Sequence, residues 1–421
     1  MSGRIGVFYH ERKVGELAGT ETETLFQYDA EFVRSGIELS PLLMKLGSEP
    51  IRGNLPAFDY LPPLFADSLP DRFGRTIMNQ WFTEKMGLGY RTTPLEHLAY
   101  VGETGMGALC YRPALGTFPD QVLREFDLRS QEKLARSSQG KVSAEYIEAA
   151  KNAARTVGGS FPKALCAQDP ATELFYQDDP RLPASFRRWI IKFGLTEAER
   201  DDLLNFPEVE LAYNRMARDA GIEVPECSLI AAGDARHFAI ERFDWRGGRR
   251  THMQTLSALT GIPAGEQTLD YRNLLSVTHQ LTGDMAQVKE AFRRMVFNVA
   301  SHNADDHGKN HSFLYEEGAW RISPAYDLTF ADAPNPDVAA VAARAMPVGG
   351  KIIDITGRDL LRLGERAGLS KPVARDLCRQ VIDVVARARS YLKEAGLSEP
   401  FTKAIWSKVE LALHECGRHL A

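Results

Sequence analysis

Cysteine is scarce, with five in 421 residues (Cys110, Cys166, Cys227, Cys378 and Cys416), odd in number and nowhere spaced C-x-x-C. That pattern excludes a disulfide framework and a thiolate zinc site and suits a reducing compartment. Long apolar runs are missing too. The opening stretch Met1–Lys13 has no hydrophobic h-region, and no window approaches the roughly 20 uninterrupted apolar residues that a bilayer span needs. A cytoplasmic location without membrane contact is therefore expected. Positive charge is not in excess, since 51 Lys and Arg face 56 Asp and Glu for a formal net charge of -5, so no global cationic field advertises a nucleic-acid binder. No internal repeat stands out at periods of about 20–50 residues. What is present is ordinary globular usage, 44% hydrophobic and 25% charged. The length, at roughly 100–200 residues per domain, predicts two or three domains.

Along the chain, Ile5–Leu17 reads as two strands around the charged turn His10–Lys13, and Thr24–Phe32 alternates again with aromatic members. After Pro62-Pro63 the residues Leu64, Phe65, Leu69, Phe73, Ile77 and Trp81 recur near helical spacing, with a break expected at Pro70. Gly102–Pro113 looks like a glycine turn delivering a strand that closes a small α+β domain. Residues 114–153 read as a helical connector, with Ser143 as cap to the helix formers Glu145–Ala154. Strands and turns then alternate over Arg155–Phe193 and Cys227–Arg250 around a helix at Val209–Ala220, predicting a second sheet with one inserted helix. Residues 254–300 and 356–420 are mostly helical, and Val288, Phe292, Met295 and Val299 mark the apolar face of a helix that leads into the most informative segment.

That segment, Ser301–Ser312, packs three histidines, two aspartates, two asparagines and a lysine into a turn-like stretch. Protein kinases place a catalytic Asp and a metal-binding Asn in the pattern D-x-x-x-x-N and follow with a second metal-binding Asp. Asp305 and Asn310 have that spacing, and a hairpin through Glu316-Glu317-Gly318 would deliver Asp327 as the second metal carboxylate. The chemistry needs this set because magnesium prefers a few hard oxygens, and a separate carboxylate must take the proton of the attacking hydroxyl. Asp306 would point elsewhere, Lys309 would balance phosphate charge, and His307 would brace the loop. Two other readings stay open. One is a solvated turn; the other is a zinc site of His302, His307 and His311, whose spacing is not H-E-x-x-H.

Upstream, Arg188–Phe193 resembles a strand ending in a phosphate-holding lysine, Lys192, with Glu210 on the next helix as a partner or as an exposed residue. Thr156–Lys163 carries Gly158 and Gly159, which let a backbone approach phosphate oxygens, and ends in Lys163; a plain hairpin turn explains it equally. Ala239–Trp245 reads as a strand whose backbone at Glu241–Phe243 would meet a purine, or as an ordinary edge strand. The Arg246–Arg250 cluster reads first as a solvated hairpin tip and second as a contact for an acidic partner.

With these residues in view, the sequence resembles the HipA family of serine/threonine kinases, toxins of bacterial toxin-antitoxin systems. Val14–Leu17, Leu61–Phe65 and Gly102–Pro113 are similar to the family's N-terminal subdomain. Thr156–Lys163, Ile190–Lys192, Glu241–Phe243, Ala304–Asn310 and Ala325–Asp327 are similar to its kinase core, in order. The resemblance implies an α+β, two-lobed protein-kinase-like fold. Its parts would be an N-terminal α+β subdomain over residues 1–113, a connector and nucleotide-binding sheet lobe over 114–250, and a mostly helical catalytic lobe over 251–421. It implies ATP and Mg2+ as cofactors and transfer of phosphate to a protein hydroxyl, with an aminoacyl-tRNA synthetase as the typical target. Asp305 would be catalytic with Lys309 and His307 beside it. Asn310 and Asp327 would hold the metal, and Lys192, Gly158, Gly159, Lys163, Glu241 and Phe243 the nucleotide. A helix-turn-helix antitoxin of the HipB type is the implied partner, with DNA reached only through it. The family's self-phosphorylated serine corresponds to Thr156, with Ser160 nearby and Pro162 altering the loop. The alternative is a kinase-shaped corepressor that docks an antitoxin and phosphorylates nothing. A mobile segment is expected at Leu328–Met346.

Overall fold

The computed structural model describes residues 3–70, 72–115, 122–128, 163–194, 207–232, 235–331 and 344–420. The expected glycine loop at 156–162, with Gly158 and Gly159, and the expected helix at 145–154 lie outside the described residues. The architecture is mixed α+β and divides into two compact units. One comprises residues 1–193, 230–254 and 314–318; the other comprises 194–229, 255–313 and 319–421. Among the described residues no helix is long and apolar enough to cross a membrane.

The first unit holds two five-stranded sheets. In the first, β1 (Gly3–Tyr9), β2 (Arg12–Gly19), β3 (Thr24–Tyr28), β4 (Ile51–Gly53) and β5 (Leu109–Arg112) run in the order β4-β3-β2-β1-β5 with antiparallel neighbours. Alternation, reset by a register shift where the β1–β2 pairing skips Val14, decides which side is buried: Ile5, Val7, Val14, Leu17, Phe26 and Tyr28 belong to a core completed by Phe65, Leu98 and Tyr111. The helical pattern after Pro62 forms two helices, Pro63–Ala66 and Arg72–Met86, separated around Pro70 as its missing N–H requires. A capping box of Thr93 and Glu96 starts the next helix, Pro94–Val101.

The second sheet is built from β6 (Lys163–Gln168), β7 (Phe175–Gln177), β8 (Arg187–Lys192), β9 (Cys227–Ala232) and β10 (Ala235–Glu241) in the order β7-β6-β8-β10-β9. Its register puts Lys163 opposite Lys192 and Lys192 opposite Phe238, so these three side chains share one face. The neighbouring row, Ala164, Ile191 and Ala239, points the other way into a small core with Phe126, Cys166 and Trp189.

The second unit is mainly helical. The helix Met285–Ala300 starts at Asp284, whose carboxylate accepts the Ala286 N–H at 2.7 Å, and the expected face of Val288, Phe292, Met295 and Val299 is buried. Helices Gly357–Arg366, Lys371–Val385, Ala388–Glu394 and Glu399–Gly417 complete the unit.

Candidate active site

The loop that follows the helix Met285–Ala300 is held from below by Asp306. This carboxylate is 1% exposed and accepts hydrogen bonds from the Tyr271 hydroxyl at 2.5 Å, from Arg344 Nη2 at 2.8 Å and from the Met346 N–H at 3.1 Å. Arg344 also donates to the Asn303 carbonyl, Asn303 donates to Asn298, and Asn298 donates to the Tyr271 hydroxyl. These bonds close a buried ring that stiffens the loop, although the Asn303 Oδ1 accepts no hydrogen bond from the described residues. Burial, reinforced by Asp306, pushes the Tyr271 phenol well above its usual range, so it stays a donor.

Asp306 therefore faces inward, and Asp305 takes the opposite side of the chain. Burial raises the Asp305 carboxyl above its ordinary value; His307 opposes that shift, while the negative charges of Asp327 and Asp306 add to it. His307 Nε2 lies 3.9 Å from the Asp305 carboxylate. Asn310 donates its amide N–H to the Asp305 backbone carbonyl at 2.8 Å, which turns its Oδ1 away from that bond as the side chain's oxygen donor. The turn Gly308–Asn310 needs its glycine: a Cβ at 308 would meet Leu269 Cδ2 at 2.1 Å and the Ser257 nitrogen at 3.4 Å.

Asp327 arrives as the hairpin pattern predicted, after strands Ser312–Glu316 and Ala319–Ile322, with positive φ at Glu317 and Gly318. Its neighbour Tyr326 donates to the Lys309 carbonyl at 2.5 Å and shares a hydrogen bond with Ser312, tying the Asp327 segment to the 308–310 turn. Asp327 itself has φ 57° and His302 has φ 57°, conformations that cost energy in residues with a Cβ and cluster at functional sites. Asp305, Asn310 and Asp327 are thus brought together within one unit, with His307 beside them and the Lys309 backbone forming part of the tie.

The three histidines do not converge. His302 stacks on Phe330, His307 faces Asp305, and His311 is buried with its ring edge-on to Tyr271 and its pKa lowered to about 3, chiefly by burial. Among the described residues no three His, Cys, Asp or Glu side chains group to hold a metal ion, which overturns the zinc reading.

The segment expected to be mobile is anchored at both described ends. Leu328, Phe330 and Ala331 are buried, the Ala304 N–H bonds to Ala331, and the Ala345 N–H bonds to Ala304. Residues 332–343 lie outside the described part. The same backbone bonds that hold the 302–306 loop account for this order at the edges.

In the first unit, Lys192 Nζ lies 5.9 Å from the centroid of the Phe238 ring, and Lys163 is buried across the strand from it. Glu241 ends β10 and pairs with Arg187 at 2.6 Å, so its side chain is engaged in the sheet, and the Arg242 N–H that follows bonds to the Arg188 carbonyl. Glu210, weighed as an exposed helical residue, is instead buried in the helix Pro207–Asp219. Arg250, expected at a solvated hairpin tip, is half-buried and donates to the carbonyls of Glu103, Gly105, Gly107 and Leu109. The sequence reading missed Tyr271, Arg344, Asn298 and Tyr326 because each lies far along the chain from its partner or carries no motif.

Comparison with known proteins adds the family. Residues 5–112 match the HipA N-terminal domain and residues 155–389 the HipA-like C-terminal domain. A Haemophilus influenzae protein provisionally named a kinase is 25% identical over 224 residues, which is 46% of this chain and 65% of the relative. Serine/threonine-protein kinase toxin HipA of Shewanella oneidensis is 22% identical over 347 residues, 76% of this chain and 73% of the relative. The matched region spans 65% of the length of the first of these and 50% of that of a Sinorhizobium fredii relative, also provisionally named a kinase, at 26% identity over 46% of this chain. Among solved structures, a chain of the Shewanella oneidensis HipA, HipB and operator DNA complex has the same fold, with a TM-score of 0.70 at 18% identity over 99% of this chain and 97% of that one. The two domain matches, in the order expected and covering most of the sequence, show that the chain belongs to the HipA family.

Proposed function

We propose that the chain is an ATP- and magnesium-dependent serine/threonine protein kinase. One observation carries this reading: Asp305, a half-exposed carboxylate with a raised pKa, sits in the field of Asp327 while Asn310 is clasped to the Asp305 backbone carbonyl. Paired like charges in a stiff loop are costly unless a cation or a proton relieves them.

The donor set fits magnesium. Asn310 and Asp327 supply one neutral and one anionic hard oxygen, and magnesium takes few protein ligands, completing its shell with water and phosphate. Bound there, the ion would neutralise phosphate charge. The residues of the chain do the rest. Asp305 orients the substrate hydroxyl and accepts its proton as the oxygen bonds to the γ-phosphorus and the bond to ADP breaks. His307 holds the Asp305 carboxylate. Lys309 balances phosphate charge. Lys163 and Lys192 lie opposite each other on one face of the sheet, and their ammonium groups hold the phosphates. The backbone of Glu241–Phe243 meets the purine, and Gly158 and Gly159 cover the phosphates.

The Shewanella oneidensis relative is named a kinase toxin, and the matching structure is a complex with HipB and operator DNA. On that basis the substrate is a protein, with an aminoacyl-tRNA synthetase as first candidate, and the partner is a HipB-like antitoxin through which DNA is reached. Thr156 or Ser160 is the site of self-phosphorylation. The test is transfer from labelled ATP in a bacterial lysate, with Asp305→Asn and Asp327→Ala as controls and mass spectrometry of residues 156–160. A labelled band that both substitutions abolish supports the reading. A wild-type protein that neither binds MgATP nor labels anything refutes it and favours a silent corepressor.

A further inference from the structure

The segment that follows β10 is gripped by a buried charge cluster. Arg242 is 3% exposed and Asp244 is 0% exposed; Arg242 donates to both oxygens of Asp244, at 2.9 and 2.8 Å, and to Asp178 at 2.8 Å. The Arg242 N–H also bonds to the Arg188 carbonyl on β8 at 2.8 Å, and Arg188 stacks over the Trp245 ring at 4.5 Å. Asp244 then reaches out of its own sheet, because its Oδ2 accepts the Gly107 N–H at 2.8 Å. Gly107 belongs to the loop between the helix Pro94–Val101 and β5 and has φ 73°, which only glycine adopts without strain.

Arg250 closes the same connection from the other side. Its guanidinium gathers the carbonyls of Gly107 at 2.6 Å, Glu103 at 2.8 Å, Gly105 at 2.6 Å and Leu109 at 3.3 Å. Five donors in a fixed fork suit this task, and no other side chain could replace all of them. Surface solvation needs none of this; a loop whose carbonyls all turn to one cation is a built junction.

We infer that Asp244 and Arg250 are positioning residues for nucleotide binding: they lock the Gly102–Leu109 loop of the N-terminal sheet onto the Glu241–Phe243 segment. This rests on the reading of Glu241–Phe243 as the purine contact. Through the lock, the N-terminal domain sets ATP affinity without touching ATP. Coupling of this kind is reciprocal, so nucleotide binding tightens the loop.

Two measurements on the full chain test it. In Arg250→Lys, which keeps the charge and loses the fork, and in Asp244→Asn, KM for ATP rises by at least about fivefold. In both, kcat stays within about twofold, the mark of lost binding rather than lost chemistry. In the wild type, saturating MgATP slows hydrogen exchange at the Gly102–Leu109 amides. Variants that lower thermal stability and leave KM unchanged, or an exchange rate in that loop indifferent to nucleotide, overturn the inference while the kinase reading stands. A wild type that binds no MgATP overturns both. Should either variant fail to fold, the wild-type exchange measurement decides alone.

Discussion

Asp306 and Asp305 are neighbours of the same chemical type, and asparagine at each has opposite consequences. Asp306→Asn keeps the shape but removes the charge that Arg344 was buried to meet, and Arg344 is 7% exposed. Removing one partner of a buried ion pair costs about 3–5 kcal/mol, because the remaining charge stays desolvated. The amide adds a second fault. Asp306 receives donors on both oxygens, Met346 N–H on Oδ1 and Tyr271 with Arg344 on Oδ2, so whichever way the asparagine turns, its NH2 meets another donor. Asp305→Asn does the reverse: it relieves the repulsion between Asp305, Asp327 and Asp306 and breaks no side-chain bond to a buried cation. Urea unfolding of the helical unit is the assay. With a slope of roughly 3 kcal/mol per molar, Asp306→Asn lowers the midpoint by about 1 M or more. Asp305→Asn leaves it unchanged or raises it, while abolishing phosphate transfer. Equal midpoints for Asp306→Asn and the wild type, or a comparable fall for Asp305→Asn, would refute the division of labour between the two carboxylates.

Other outcomes follow from the same geometry. Gly308→Ala forces a Cβ to within 2.1 Å of Leu269, and overpacking of that kind costs about 1–3 kcal/mol; thermal melts and kcat should both fall. Lys192→Met removes a positioned cation from β8, and kcat/KM for ATP drops by about 10²–10³. Burial holds His252 down at about 4, against 6.5 for the free group, so the folded state binds fewer protons than the unfolded one between those values. Its stability contribution is complete above pH 6.5 and is lost as pH falls toward 4, by about 3 kcal/mol in all. Urea midpoints at pH 7 and pH 4 should separate by less in His252→Gln than in the wild type.

Much of the candidate site was legible in one dimension. The D-x-x-x-x-N spacing of Asp305 and Asn310, the hairpin before Asp327 and the apolar face leading to Ser301 are all local, and local spacing translates directly into turn and helix geometry. The break near Pro70 and the strands at 3–9 and 12–19 were readable for the same reason. Glu210 and Arg250 were misjudged because whether a charged side chain is buried depends on what packs against it from elsewhere in the chain. The zinc reading failed likewise: three histidines within ten residues look alike in sequence, yet each turns to a different neighbour.

The amino-acid order by itself determined which elements form and which chemical groups the loop after Ala300 carries, since capping, periodicity and turn residues act over a few positions. Tertiary structure alone decided that Asp306 is an anchor and Asp305 is not, that Tyr271 and Arg344 converge on the first, and that one guanidinium at 250 collects a loop some 140 residues earlier. The physical reason is that burial and charge pairing are long-range in sequence: a carboxylate's role follows from the cation and donors that packing brings to it, and those contacts have no signature in the spacing of neighbours.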